Sequence, residues 1–170
     1  MKLPPPFTDD GKRIYAVIES PKGTGNKFTY FPENDYFKLT KVLPAGMVFP
    51  LDFGFIPGTK GEDGDPLDVL VISGKGSFTG AVLECRIAGV IKAKQQEGNT
   101  KESNDRLIAV SDEHDEFRHI NSITEINDSV IKEVGEFFVN YNKIDGKEFE
   151  VIGTGDEKET RMIIESQLAK

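Results

Sequence analysis

Read by its apolar and polar positions, the chain is strands first and helices last. Arg13-Ile14-Tyr15-Ala16-Val17-Ile18 is rich in β-formers and predicts a strand. Met47-Val48-Phe49 predicts a short one. Asp68 opens the apolar run Val69-Leu70-Val71-Ile72, which predicts a buried strand to Ser73. Ala81 to Lys92 predicts a long strand, and Arg106-Leu107-Ile108-Ala109-Val110 and Glu148-Phe149-Glu150-Val151-Ile152 add two more. The spacing then changes. Val130, Ile131, Val134, Phe137, Phe138 and Tyr141 recur at helical intervals behind a possible N-cap at Asn127 or Asp128, predicting a helix over 127–142. Asp156 with Glu159 three later is a capping pair that opens a terminal helix over 156–169. Gln95 to Asn104 is polar and contains glycine, so it predicts a loop. Many short strands punctuated by Gly and Pro suit a closed barrel, and the pattern alone suits a sandwich as well.

Composition narrows the functional classes. At 170 residues the chain is expected to form one domain, 1–170, with a substantial core. A net charge of −8 argues against a nucleic-acid backbone or an anionic membrane as the main partner. The same acidity, without a face of Lys/Arg interleaved with aromatics, argues against a single-strand-binding module. Cys85 is the only cysteine, which excludes an internal disulfide and suits a reducing compartment. No apolar h-region follows Met1, and no run reaches membrane-spanning length, so a cytoplasmic location is expected.

The densest chemistry is Asp63-Gly64-Asp65-Pro66-Leu67-Asp68-Val69. Carboxylates this close repel one another, and the repulsion raises their pKa values unless cations offset it. On an extended chain, Asp63 and Asp65 point to one side, and Pro66 biases Asp65 toward that conformation. A carboxylate cluster at a rigid strand end suits a hard divalent cation such as Mg²⁺. An EF-hand loop fails on register. Counted from Asp63, its glycine and glutamate positions are occupied by Asp68 and Gly74.

These seven residues resemble the signature Asp-x-Asp-Pro-x-Asp-x of the family I soluble inorganic pyrophosphatases. The resemblance runs from about residue 14 to residue 150. It includes Ile18-Glu19-Ser20-Pro21, Asn26-Lys27-Phe28, Phe49-Pro50-Leu51-Asp52-Phe53-Gly54-Phe55-Ile56-Pro57 and Phe137-Phe138-Val139-Asn140-Tyr141. It implies a mainly β fold with α, an OB-like five-stranded closed barrel with the two helices packed outside. It also implies metal-dependent hydrolysis of inorganic pyrophosphate to two phosphates, and a homo-oligomer, with a hexamer favoured. Mg²⁺ is the implied cofactor, with Mn²⁺ or Co²⁺ as substitutes. Asp63, Asp65 and Asp68 would hold a pair of metal ions, Asp68 bridging them and Asp65 assisting removal of a proton from the attacking water. Glu19 joins the metal candidates. Lys27, Lys41, Arg106 and Tyr141 would bind the phosphates, with Lys143 beside them.

The chain also departs from the family pattern. Thr29 stands where a glutamate is usual, and Lys41 where an arginine is usual. The usual Tyr-Gly-Tyr is Phe53-Gly54-Phe55. The Asp-x-Lys element appears as Asn104-Asp105-Arg106. With Arg106 in the lysine register, Asn104 takes the metal position, and Asp105, one residue off, is a further metal candidate. Gln95-Gln96-Glu97 stands near the place of an acidic pair, so Glu97 is a further metal candidate, and Tyr141 is followed by Asn142 before Lys143. A thinned outer shell predicts a higher Mg²⁺ requirement, and it leaves a catalytically weakened phosphate-binding protein as the alternative. His114 and His119 match no site.

Overall fold

Strand β1 (Ile14–Ser20) has a neighbour on each side, and this double pairing closes the sheet. It lies antiparallel to β4 (Asp52–Phe55) and to β6 (Val82–Glu97). β4 pairs with β5 (Asp68–Ile72), β5 runs parallel to β8 (Arg106–Ser111), and β8 returns antiparallel to β6. The five strands β1-β4-β5-β8-β6 therefore form a ring in this computed structural model, which describes residues 2–169. That is the expected five-stranded closure, and it decides the barrel against the sandwich.

Ring closure requires a glycine. A Cβ on Gly54 would stand 2.0 Å from the Val17 carbonyl oxygen of β1, so only glycine lets β4 approach this closely. The two faces of β5 feed separate apolar clusters, as strand alternation dictates. Leu70 and Ile72 pack with Val134, Phe137 and Phe138 of α1 (Asp128–Ile144). Val69 and Val71 pack with Ile14, Ile18 and Ile164, the last from α2 (Glu157–Ser166). Both helices therefore sit against the barrel through an apolar stripe.

Both N-caps match the sequence reading. Asn127 accepts a hydrogen bond from the Ser129 N–H at 2.9 Å, and Asp156 one from the Glu159 N–H at 2.9 Å. Glu159 does not complete a reciprocal box, because its carboxylate pairs with Lys92 at 3.0 Å. The first helix runs two residues beyond 142 and the second ends three before 169.

Two expectations are corrected. Met47-Val48-Phe49 is not a strand. Its apolar residues serve burial instead, with the Phe49 ring packed at a tilt against Phe53 and Phe137 and its backbone bonded to Gly23 and Thr24. Gln95 to Asn104 is not a loop. β6 continues to Glu97, turns at Gly98-Asn99, and returns as β7 (Thr100–Ser103). β9 (Glu148–Gly155) pairs along the other side of the same stretch, from Val90 to Gln96. Backbone ladders on two sides outweigh a polar composition that suggested a loop. A hairpin absent from the sequence reading, β2 (Asn26–Phe31) with β3 (Tyr36–Val42), lies outside the ring beside β1.

Candidate active site

A cleft of about 650 Å³ opens between the β2–β3 hairpin, the loop after β4 and the end of α1. The loop over 57–66 carries the carboxylates. Its neck is closed by the Ile56 N–H donating to the Leu67 carbonyl at 2.9 Å. Its tip is a tight turn, not the extended run expected from Pro66. The Gly61 N–H donates to the Asp65 carbonyl at 2.7 Å, and the Asp65 N–H to Asp63 Oδ1 at 3.0 Å. Gly64, at φ +90°, supplies the left-handed residue that this turn requires.

The turn divides the aspartates. Asp65 and Asp68 line the main cleft. Asp63 lines a neighbouring cleft of about 230 Å³ with Asn104 and Asp105, and Asp68 borders both. Burial, followed by the charges of Asp63 and Asp68, raises the Asp65 pKa above the ordinary carboxylate value. The aspartates therefore sense one another as the sequence implied.

The strands supply the cations. Lys27 on β2 pairs with Glu19 on β1 at 2.6 Å and lies 4.3 Å from the centroid of the Phe53 ring. Glu19 is only 6 % exposed and also accepts from the Tyr30 N–H at 2.7 Å. Burial raises its pKa, and Lys27 and that N–H act against the rise. Arg106 opens β8, is 6 % exposed, and pairs with Asp68 at 2.7 Å. Its guanidinium lies 4.7 Å from the centroid of Phe138, and it donates to Asn104 Oδ1. The buried Arg106 Nε has no hydrogen-bond partner among the described residues.

Asn104 and Asp105 separate as strand alternation requires. The Asn104 amide donates to Gln95 Oε1 at 2.6 Å, completing a chain Gln95–Asn104–Arg106–Asp68. Asp105 turns to the sheet and accepts the Ala93 N–H at 3.0 Å. Two neutral amides thus reach Asp68 only through Arg106. Gln95 lines the cleft, whereas Glu97 pairs with Lys147 at 2.9 Å.

The α1 end forms the outer wall. The Tyr141 ring packs with Phe49, Phe137 and Phe138, and its hydroxyl pKa is pushed up to about 12 by burial first, with Asp145 and Asp68 adding to it. Lys41 pairs with Asp145 and lies 4.3 Å from the Tyr141 ring centroid, at the rim. Asn142 is buried and donates to the Phe138 carbonyl at 2.8 Å. Lys143 is exposed and does not line the cleft, while Lys147 does. Thr29, Tyr30, Lys60 and Lys147 are lining residues that the sequence reading did not select. For Thr29 the signal was its place two residues after Lys27, where the family resemblance puts a glutamate.

Among the described residues, no three His, Cys, Asp or Glu side chains already converge into a metal-holding group. The donor chemistry nonetheless fits a hard cation. Asp65, Asp68 and Glu19 offer only oxygen to one cleft.

A family model described as inorganic pyrophosphatase matches residues 16–170. The inorganic pyrophosphatase of Thermus thermophilus is 37% identical over 148 residues, spanning 85% of this chain and 82% of that protein. That of Halalkalibacterium halodurans is 35% identical over 159 residues, spanning 94% and 95%. The crystal structure of the inorganic pyrophosphatase from Thermus thermophilus superposes with a TM-score of 0.89 at 34% identity, covering 98% of this chain and 95% of that one. A second crystal structure, from Neisseria gonorrhoeae, gives 0.88 at 27% identity, covering 98% and 95%.

Proposed function

The chain belongs to the inorganic pyrophosphatase family, and we propose that it hydrolyses inorganic pyrophosphate to two phosphates as a metal-dependent enzyme. The observation that carries this reading is the Asp68–Arg106 pair, which sets a carboxylate loop against a buried guanidinium across one cleft. Divalent ions, Mg²⁺ in our reading and Mn²⁺ or Co²⁺ in its place, supply charge neutralisation and a water of lowered pKa. Asp63, Asp65, Asp68 and Glu19 would hold them, with Asp68 shared. Asp65, on the cleft wall beside the proposed ions, would assist removal of the proton from the attacking water.

Phosphoryl transfer to water depends mainly on positioning and charge. Arg106 offers a planar fork to a phosphate, held by ring contacts with Phe138 and Phe149. Lys27 offers a point charge over Phe53. Its pKa near 12 keeps the Tyr141 hydroxyl protonated, and so a donor, at neutral pH. Lys41 and Lys147 would draw the anion in at the rim, and Lys143 would act only from outside. Gln95 and Asn104 add dipoles but no charge, so the requirement for Mg²⁺ should be high.

Family membership disfavours the alternative of a binding protein without turnover. We further infer a single-domain, cytoplasmic protein that assembles as a homohexamer. Among the described residues, no helix is long and apolar enough to cross a membrane. The direct test is phosphate release from pyrophosphate with Mg²⁺, Mn²⁺, Co²⁺ and Zn²⁺, before and after EDTA. Chelation should abolish release and Mg²⁺ should restore it. Release that persists after thorough chelation would refute the metal mechanism. Sedimentation equilibrium at micromolar concentration tests the hexamer, which a lone monomer would exclude.

A further inference from the structure

The loop that carries Asp63 and Asp65 is held at its base by Thr59 and by the segment after α2, and Thr59 and Ala169 form part of the cleft wall. Thr59 is 5 % exposed, and its hydroxyl bridges the loop neck. It donates to the Ile56 carbonyl at 2.6 Å and accepts the Leu67 N–H at 3.0 Å. Leu67 adjoins Asp68, so this one hydroxyl ties the start of β5 to the end of β4. A second set of bonds comes from beyond α2. The Lys60 N–H donates to the Gln167 carbonyl at 2.8 Å, and the Ala169 N–H to the Gly58 carbonyl at 2.9 Å. Thr59 and Leu168 pair as an isolated antiparallel bridge between these two bonds. From the other side Pro6 crowds Gly58, where an added Cβ would lie 3.1 Å from the proline ring.

Each bond anchors the base of the loop, and the tip has only its own turn. Gly61, Gly64 and Asp65 bond within 61–65. A rigid tip on an unanchored base would still swing as one piece, because no described bond ties 61–65 to the barrel. The base anchors therefore set where Asp65 lies relative to Arg106 and Lys27. We propose that Thr59 and the C-terminal strap Gln167–Ala169 are positioning elements, fixing the carboxylate loop at the distance the reaction needs. The proposal rests on the pyrophosphatase reading above. It assigns these residues no contact with substrate.

The geometry separates two kinetic parameters. The phosphate-binding cations sit on β2 and β8, which these bonds do not touch. Loosening the base should lower kcat and raise the metal concentration for half-maximal activity, with a smaller change in KM. A misplacement of the order of 1 Å can cost on the order of a hundredfold.

The test uses three full-length variants. Thr59→Val removes the hydroxyl at nearly constant shape. Thr59→Ser keeps it. Ala169→Pro removes the N–H that holds Gly58. Thr59→Val and Ala169→Pro are expected to lose at least tenfold in kcat and need more Mg²⁺, with KM moving less than about threefold. Thr59→Ser should recover most of the loss. Hydrogen exchange of the Lys60–Asp65 amides gives a readout independent of turnover, and it should accelerate in Thr59→Val and Ala169→Pro but not in Thr59→Ser. Wild-type kcat, metal requirement and exchange in both would overturn the proposal. So would a loss that Thr59→Ser fails to recover. If Thr59→Val does not fold, Ala169→Pro decides. If the wild-type protein releases no phosphate, the pyrophosphatase reading fails, and exchange together with calorimetric Mn²⁺ binding still judges the strap.

Discussion

Deep in the cleft, Asp68–Arg106 and Glu19–Lys27 join residues carried by strands of the ring and the adjoining hairpin, with Arg106 and Glu19 nearly sealed from water. At the rim, Lys41–Asp145 and Lys147–Glu97 use the same kinds of residue on a hairpin strand and just past the end of α1, with side chains 23% and 38% exposed in the first pair and 28% and 67% in the second. Chemistry is constant across the comparison and the environment is not. Inner cations lie over Phe53 and Phe138, are oriented before any anion arrives, and leave a buried charge uncompensated if a partner is removed. Rim pairs are screened by water and salt and hold little energy. Inner residues should therefore govern turnover, and rim residues capture.

The sharpest way to break this division is Asp68→Asn. If Asp68 is the shared ligand proposed above, loss of its charge and of the Arg106 partner should reduce activity on the order of 10³-fold. A variant within about tenfold of wild type, or about 1.4 kcal/mol, would contradict a bridging role.

Arg106→Lys comes next. A point charge replaces the fork, so the hydrogen bonds to Asp68 and to a phosphate cannot both persist. A decrease of about tenfold to a hundredfold is expected, from hydrogen bonds to charged groups of about 1.5–3 kcal/mol. Steady-state kinetics at saturating Mg²⁺ measures it, and an unchanged kcat/KM would move Arg106 out of the inner set.

Asn104→Asp sharpens the comparison by adding an inner charge. A carboxylate in the cleft that Asp68 borders should lower the Mg²⁺ concentration for half-maximal activity, by about threefold or more, and reduce any relative gain with Mn²⁺ or Co²⁺. If instead Asp105→Asn or Glu97→Gln cripples the enzyme and Asn104→Asp changes nothing, these two residues leave their present partners, Ala93 and Lys147, during the reaction.

Lys41→Gln should have the smallest effect. An exposed pair contributes about 0.2–1 kcal/mol, which limits the change in KM to severalfold and makes it vanish at high salt. A large loss of kcat that resists salt would erase the distinction between rim and interior. In the same titration, the Tyr141 hydroxyl should stay protonated up to about pH 11, given a pKa near 12. An alkaline limb present in wild type and absent from Tyr141→Phe at pH 9 would disprove that.

The sequence by itself determined much of this protein. Asp63-Gly64-Asp65-Pro66-Leu67-Asp68-Val69 is contiguous, so its chemistry needed no fold to be read. β5, β8 and both helix starts were equally legible, because periodicity and capping are local. Ring closure was not, since β1 must meet both β4 and β6 across long sequence separations. The hairpin over 95–104 was hidden by its polar composition, and the β9 ladder that flanks it is nonlocal. Cleft membership also came only from tertiary structure. The end of α1 turns Lys143 to solvent and brings Lys147 in, and the register at the start of β8 sends Asn104 to Arg106 and Asp105 to Ala93. A sequence states which groups are present. Which way each one faces follows from pairings made far along the chain, where one residue of register reverses a side chain.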